Sequence, residues 1–143
     1  MIHRDFLLLD LVLIRHHYRM LVHHHLIYQA KVWKKFNKDA EKIFESFLYN
    51  LVEHLGMEVL ISPQFAFTQD VNDAWTGLIW IITSHISFHY WTKEQYVQLD
   101  IYSCKIFNKD KTIKNLNDFW NASEAQWLRI HRKTNDRFEI EEY

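Results

Sequence analysis

Four side chains and one peptide bond near the middle of this chain have the types and spacing needed for self-cleavage. The hydroxyl of Ser84 can attack the carbonyl of Thr83, the residue before it, and convert the peptide bond to an ester. β-Elimination then cuts the chain and leaves a dehydroalanine, which hydrolyses to a pyruvoyl group. The reaction needs a donor for the tetrahedral oxyanion, a base for the serine Cα proton and a strained turn that exposes the scissile carbonyl. A ketone made this way can form a Schiff base with a substrate amine and accept the electrons left when carbon dioxide departs. His89 follows Ser84 by five residues, Thr76 precedes it by eight, and Cys104, the only cysteine, lies twenty residues beyond.

On a regular strand Ser84 and His89 point to opposite faces. Their meeting within one chain requires a bend near Thr83–His85, which is also where a strained scissile bond belongs. Cys104 falls at the end of the next strand-like run, where pairing can return it to Ser84, and Thr76 offers a hydroxyl at the start of the preceding one.

The elements that must position these groups are readable from periodicity. Residues 24–32 form a first strand. Asn37 is placed to cap a helix running to His54 or Leu55, with Gly56 just past its end, and Ile43, Phe44, Phe47, Leu48, Leu51 and Val52 follow helical spacing. Residues 57–67 read as a strand bent at Pro63, and residues 68–73 as a polar loop. Three β-type runs follow, over residues 77–82, 86–91 and 96–102, with spacers short enough for adjacent antiparallel pairing. A helix over residues 113–120 and a strand over residues 126–132 complete the order β-α-β-β-β-β-α-β. The expected class is α+β: a two-layer sandwich of an antiparallel sheet with helices packed on one face.

Composition bounds the function classes. The 143 residues are 48% hydrophobic, 16% aromatic and 24% charged, as expected of one folded domain with a buried core. A net charge of -1 gives no electrostatic case for nucleic acid or a membrane surface as partner. A single cysteine makes no internal disulfide, which suits a reducing cytoplasm and leaves Cys104 free for chemistry. Phe6–Ile14 is apolar but interrupted by Asp10 and too short to span a bilayer. Residues 1–19 read as an N-terminal extension, either helical or upstream of a native start at Met20; residues 20–134 form the domain, and residues 135–143 an acidic, loose tail. The His23-His24-His25 run, with His16 and His17 upstream, lacks carboxylate or cysteine partners at ligand spacing, so no metal site is expected.

Thr83-Ser84-His85-Ile86-Ser87-Phe88-His89-Tyr90-Trp91, with Tyr102-Ser103-Cys104 downstream, resembles the processing site of prokaryotic-type S-adenosylmethionine decarboxylase proenzymes. In that family the motif reads roughly E-S-H-[IL]-S-[IV]-H-T-W-P-E, followed after one strand by [FY]-[TS]-C, and the resemblance covers roughly residues 24–132. It implies a pyruvoyl-dependent carboxy-lyase of spermidine biosynthesis, cutting itself at Thr83–Ser84, with the covalent pyruvoyl cofactor derived from Ser84. It further implies that His89 and Thr76 serve processing and that Cys104 protonates the product carbon. Phe65 and Phe67 would lie on the adenine side, with Trp91 and Glu94 also toward the substrate. The processed protomers would form a homodimer whose sites draw residues from both.

Three positions depart from the pattern. Thr83 stands where the family has glutamate, Lys93 where it has a ribose-binding glutamate (Glu94 is adjacent), and Ala66 where F-H-x-F has histidine. Loss of the ribose carboxylate would permit another amino-acid substrate such as ornithine or arginine, because a buried polar site discriminates strongly against a missing partner. A non-catalytic, unprocessed relative is the remaining alternative, in which Ser84 is a turn residue, His85 and His89 are strand histidines and Cys104 is a small buried hydrophobe.

Overall fold

A computed structural model describes residues 21–69 and 72–142. The N-terminal extension and the alternative start at Met20 lie outside these residues. The elements are β1 (Val22–Val32), α1 (Glu41–His54), β2 (Val59–Thr68), β3 (Ala74–Ile81), β4 (Ser84–Trp91), β5 (Tyr96–Ser103), α2 (Lys109–Trp120), β6 (Ala122–Lys133) and β7 (Glu139–Glu142).

The strands form one seven-stranded antiparallel sheet in the order β2-β3-β4-β5-β1-β6-β7. The three adjacent runs expected between residues 77 and 102 pair as neighbours, β3 with β4 and β4 with β5. Short connections favour this arrangement, because little loop entropy is lost on closure. β1 inserts between β5 and β6, so its pairings span much of the chain.

Both helices cover one face, and the period-two alternation of the strands assigns residues to it. Leu26, Tyr28, Ile86, Phe88, Tyr90 and Leu99 are fully buried there against Phe44, Leu48 and Leu51 of α1 and Leu116 and Trp120 of α2. Aromatic rings fill the space between the layers: Phe44 contacts Phe36, Trp75, Phe88 and Trp120, and Phe47 stacks on Phe119 at 3.8 Å. Such pairs add about 0.5–1.5 kcal/mol each beyond the area they bury. Gly77 lets the ring of Phe88 cross the β3 backbone, since a Cβ there would collide with that ring.

Several boundaries differ from the sequence reading. α1 begins at Glu41 and not at Asn37; Asn37 Oδ1 accepts the Asp39 N–H at 2.8 Å and shapes a turn before the helix. Gly56 does end α1, at φ 66°. α2 starts at Lys109, four residues earlier than its apolar pattern suggests, because Asn108 caps it by accepting the Lys111 N–H at 2.9 Å.

The C-terminal segment is not loose. Glu139–Glu142 pairs with β6, and Glu141 binds Lys109 at 2.7 Å and the Arg129 guanidinium at 2.5 Å. The cations hold an acidic strand that buries little apolar surface of its own.

Candidate active site

The hairpin between β3 and β4 has a two-residue loop, Ile82-Thr83, closing on the Ile81–Ser84 pair. Thr83 adopts φ 53°. A β-branched residue in the left-handed region is strained, because its Cβ crowds the neighbouring carbonyl, and glycine or asparagine is the usual occupant. The bond on its C-terminal side is the Thr83–Ser84 peptide. Strain sits beside the bond that the sequence marks for cleavage.

Ser84 is the first residue of β4 and is 7% exposed, on the helix-covered face with Ile86 and Phe88. The chain leaving β5 folds over it. The Cys104 backbone N–H donates to Ser84 Oγ at 2.8 Å, and the Cys104 thiol donates to the Ile82 carbonyl at 3.5 Å. Burial pushes the thiol pKa up, but hydrogen bonds from the Ser84 and Thr83 hydroxyls and the Lys105 charge outweigh it and leave the pKa below its ordinary value. Thr83 and Cys104 line a cavity of about 500 Å³ with Leu21, Val22, His23 and Ile106. Ile82 and the strand-start residues Leu21 and Val22 were not singled out from sequence; the cavity depends on β1 lying beside β5, which no local pattern announces.

Thr76 and His89 lie elsewhere. They are cross-strand partners, with Thr76 Oγ1 and His89 Nδ1 at 2.9 Å, exposed on the sheet face opposite the helices. β3 and β4 pair without a register shift from Ala74–Trp91 to Ile81–Ser84, so the bend expected near Thr83–His85 does not carry His89 toward Ser84. Five residues of regular strand separate the two by about 16 Å. The open face also carries Trp91, whose ring is 6.0 Å from His89, and a depression of about 390 Å³ lined by Asn72, Trp91, Glu94, Tyr96 and Gln98.

Phe65 and Phe67 are not on that face. Both turn toward the helices, where Phe65 packs edge-on against Trp75 at 6.4 Å and Phe67 lies 5.1 Å from the same ring. Both rings are partly buried and pack against the edge of the core. Ala66, between them, is the residue that faces outward, opposite Thr76.

The three consecutive histidines alternate across the sheet. His24 is buried on the helix side, while His23 and His25 are on the open face. Among the described residues, no group of three or more histidine, cysteine, aspartate or glutamate side chains is arranged to hold a metal ion. No helix among them is long and apolar enough to cross a membrane.

Comparison with known proteins bears on the family and the fold. A family model described as S-adenosylmethionine decarboxylase matches residues 24–133. The S-adenosylmethionine decarboxylase proenzymes of Pyrococcus abyssi and Pyrococcus horikoshii are 35% and 34% identical over 111 residues, covering 77% of this chain and 77% of theirs. The crystal structure of the adenosylmethionine decarboxylase from Aquifex aeolicus shares the fold with a TM-score of 0.58 at 18% identity, over 78% of this chain and 89% of that one. The strained loop, the serine behind it and the cysteine clasped over it thus sit in a fold and a sequence background of one kind, and the chain belongs to the S-adenosylmethionine decarboxylase family.

Proposed function

We propose that the protein is a self-processing, pyruvoyl-dependent S-adenosylmethionine decarboxylase, producing the aminopropyl donor for spermidine synthesis. The observation that carries this reading is the clasp between Cys104 and Ser84 beside the left-handed Thr83. The Cys104 N–H occupies one lone pair of Ser84 Oγ and holds the oxygen in place. The hydroxyl proton, directed at the Cys104 thiol in the uncut chain, passes to a base as the oxygen attacks. Ser84 Oγ then bonds to the Thr83 carbonyl carbon as the Thr83–Ser84 C–N bond breaks, which relieves the strain at Thr83. Loss of the Ser84 Cα proton expels the Thr83 carboxylate and divides the chain. Water then replaces the nitrogen of residue 84, which leaves as ammonia.

The residues present fit a pyruvoyl group at position 84, because its precursor is already oriented and a proton donor stands next to it. When formed, that group supplies the electron sink for loss of carbon dioxide. Cys104 delivers the proton that replaces carbon dioxide, its thiol standing beside position 84.

Thr76 and His89 serve a second copy in this reading. They cannot reach Ser84 of their own chain along a regular β4, yet the Ser84 cavity carries His23, an open-face residue, on its rim and is approachable from that side. Two copies packed through their open sheet faces would bring the Thr76–His89 pair of each to the loop of the other and cover a face that carries rings and imidazoles in place of a second layer. Trp91 and Glu94 would then receive the substrate, the ring stacking on the base and the carboxylate accepting from ribose hydroxyls.

Denaturing electrophoresis tests the central step. Purified protein should run as two fragments divided at Thr83–Ser84, and Ser84→Ala should restore one chain of 17.6 kDa. A single intact chain from wild-type protein, with no reactive carbonyl, would leave the non-catalytic reading standing. Carbon dioxide release from S-adenosylmethionine, with none from ornithine or arginine, identifies the substrate.

A further inference from the structure

Ser103, the last residue of β5, is 1% exposed and faces the helices with Leu99 and Ile101. Its hydroxyl closes a turn with the residue two positions on. It accepts the Lys105 N–H at 3.1 Å and donates to the Lys105 carbonyl at 2.7 Å. A serine oxygen can do both at once, and it bends the chain by competing with the strand ladder for the backbone. The turn also satisfies a hydroxyl that burial has cut off from water. Ser103 Oγ lies 3.3 Å from Met57 Sδ, and Lys105 Nζ donates to the Gly56 carbonyl at 2.7 Å, so the turn is moored to the chain just past α1. Cys104 is the residue enclosed. Its N–H is aimed at Ser84 Oγ and its thiol at the Ile82 carbonyl, and neither bond involves the Ser103 side chain.

We infer that Ser103 is a positioning residue for the reaction: its hydroxyl sets the direction in which Cys104 presents both its N–H and its thiol. The inference rests on the roles given above to Ser84 and Cys104. The two bonds to Lys105 each close a short ring through Cys104, and together they restrict the backbone angles on either side of it. Alanine at position 103 would leave the Lys105 N–H and carbonyl to seek water and would free Cys104 to turn away. The need for Ser103 outlasts the need for the Ser84 hydroxyl. In the cleavage written above, Ser84 Oγ departs in the new Thr83 carboxylate, so the Cys104 N–H loses the acceptor that holds it in the uncut chain. Nothing in that step alters Ser103 or Lys105. The turn remains, and it keeps the thiol beside position 84 for proton delivery. A reacting group held this way depends on the residues that support it as much as on its own chemistry. Ser103 acts through Cys104 at both stages.

Amide hydrogen exchange, read by NMR in the uncut His89→Ala protein, separates this role from that of an ordinary buried serine. The Cys104 and Lys105 N–H groups should both be protected. Adding Ser103→Ala should speed exchange at both by at least tenfold, although the Cys104 N–H is bonded to Ser84, while amides in the middle of β4 and β5 keep their protection. Ser84→Ala should expose Cys104 alone. Ser103→Thr, which keeps the hydroxyl, should restore protection at both. In the chain with His89 intact, Ser103→Ala should slow the appearance of the two fragments at least tenfold. The enzyme that does form should show kcat lowered at least tenfold with KM within about threefold, and Ser103→Thr should recover both. Unchanged protection of Cys104 in Ser103→Ala overturns the inference, as do wild-type cleavage and turnover in that variant. Should Ser103→Ala not fold, the Ser84→Ala protein decides: a Lys105 N–H still protected there supports the turn, and one exposed along with Cys104 reverses the order of dependence and overturns it. An uncut wild-type chain with the exchange pattern above would remove the proposed function and leave Ser103 as the residue that directs Cys104.

Discussion

The backbone N–H of Cys104 is bonded to Ser84 Oγ at 2.8 Å, joining the end of β5 to the first residue of β4. The bond uses the main chain of Cys104 and leaves its thiol free for a separate task. Cys104→Ala should therefore still cut itself, while turnover falls by about 10²–10⁴-fold, the range for loss of a positioned general acid. Electrophoresis reads the first effect and carbon dioxide release the second. Wild-type turnover in this variant would remove the thiol from the mechanism.

Strain at Thr83 should drive the cut. Its φ of 53° costs a β-branched residue on the order of 1–3 kcal/mol, whereas glycine adopts it freely. Thr83→Gly should slow the appearance of the two fragments after refolding by roughly tenfold, equivalent to about 1.4 kcal/mol of barrier. Thr83→Asn, also at ease in this conformation, should slow it too. Equal or faster cleavage in both would mean that strain makes no contribution.

Placement of the Thr76–His89 pair on the open face predicts complementation. His89→Ala alone should remain uncut, as should Ser84→Ala alone. Refolded together as mixed dimers, the His89→Ala chains should be cleaved, because their intact Ser84 receives a histidine from the other copy. Mass spectrometry identifies which chain was cut. No cleavage in the mixture would require Ser84 and His89 to act within one chain, against the continuous register of β3 with β4.

The thiol of Cys104 in the uncut chain should titrate below the ordinary cysteine value, since hydroxyl hydrogen bonds and Lys105 outweigh the opposing effect of burial. In the uncut His89→Ala protein, alkylation by iodoacetamide should accelerate as pH rises through that lowered value. Adding Thr83→Val removes one hydroxyl donor and should move the inflection upward. In the active enzyme the sign is opposite: turnover that needs the protonated thiol is lost as pH rises through its pKa. An inflection insensitive to Thr83→Val would refute the hydroxyl's contribution.

Packing at Gly77 supplies a prediction about the fold alone. An alanine Cβ would collide with the Phe88 ring and approach the Phe65 ring to 3.0 Å. Gly77→Ala should destabilise the uncut Ser84→Ala protein by about 1–3 kcal/mol, read from its urea midpoint.

Much of this was legible in the sequence. The apolar spacing of Phe44, Phe47, Leu48 and Leu51 marked α1, short spacers paired β3 with β4 and β5, and period-two parity put Ser84 and His89 on opposite faces. These are local properties, set by helical pitch, strand pleat and loop length within a few residues. Position along the chain also brought Cys104 to the strand end nearest Ser84.

Only the tertiary structure decided which face of the sheet the helices cover. That choice packs the partly buried Phe65 and Phe67 against core rings and leaves Thr76, His89 and Trp91 on the open face, although parity alone allowed either outcome. It likewise placed β1 between β5 and β6, gathering His23, His25, His85 and Arg132 on Tyr102, and held the acidic β7 through Lys109 and Arg129. Each depends on contacts between residues far apart in the chain, where burial and charge pairing of whole layers outweigh local preference. Periodicity reports which residues share a side, but only packing determines which side is inside.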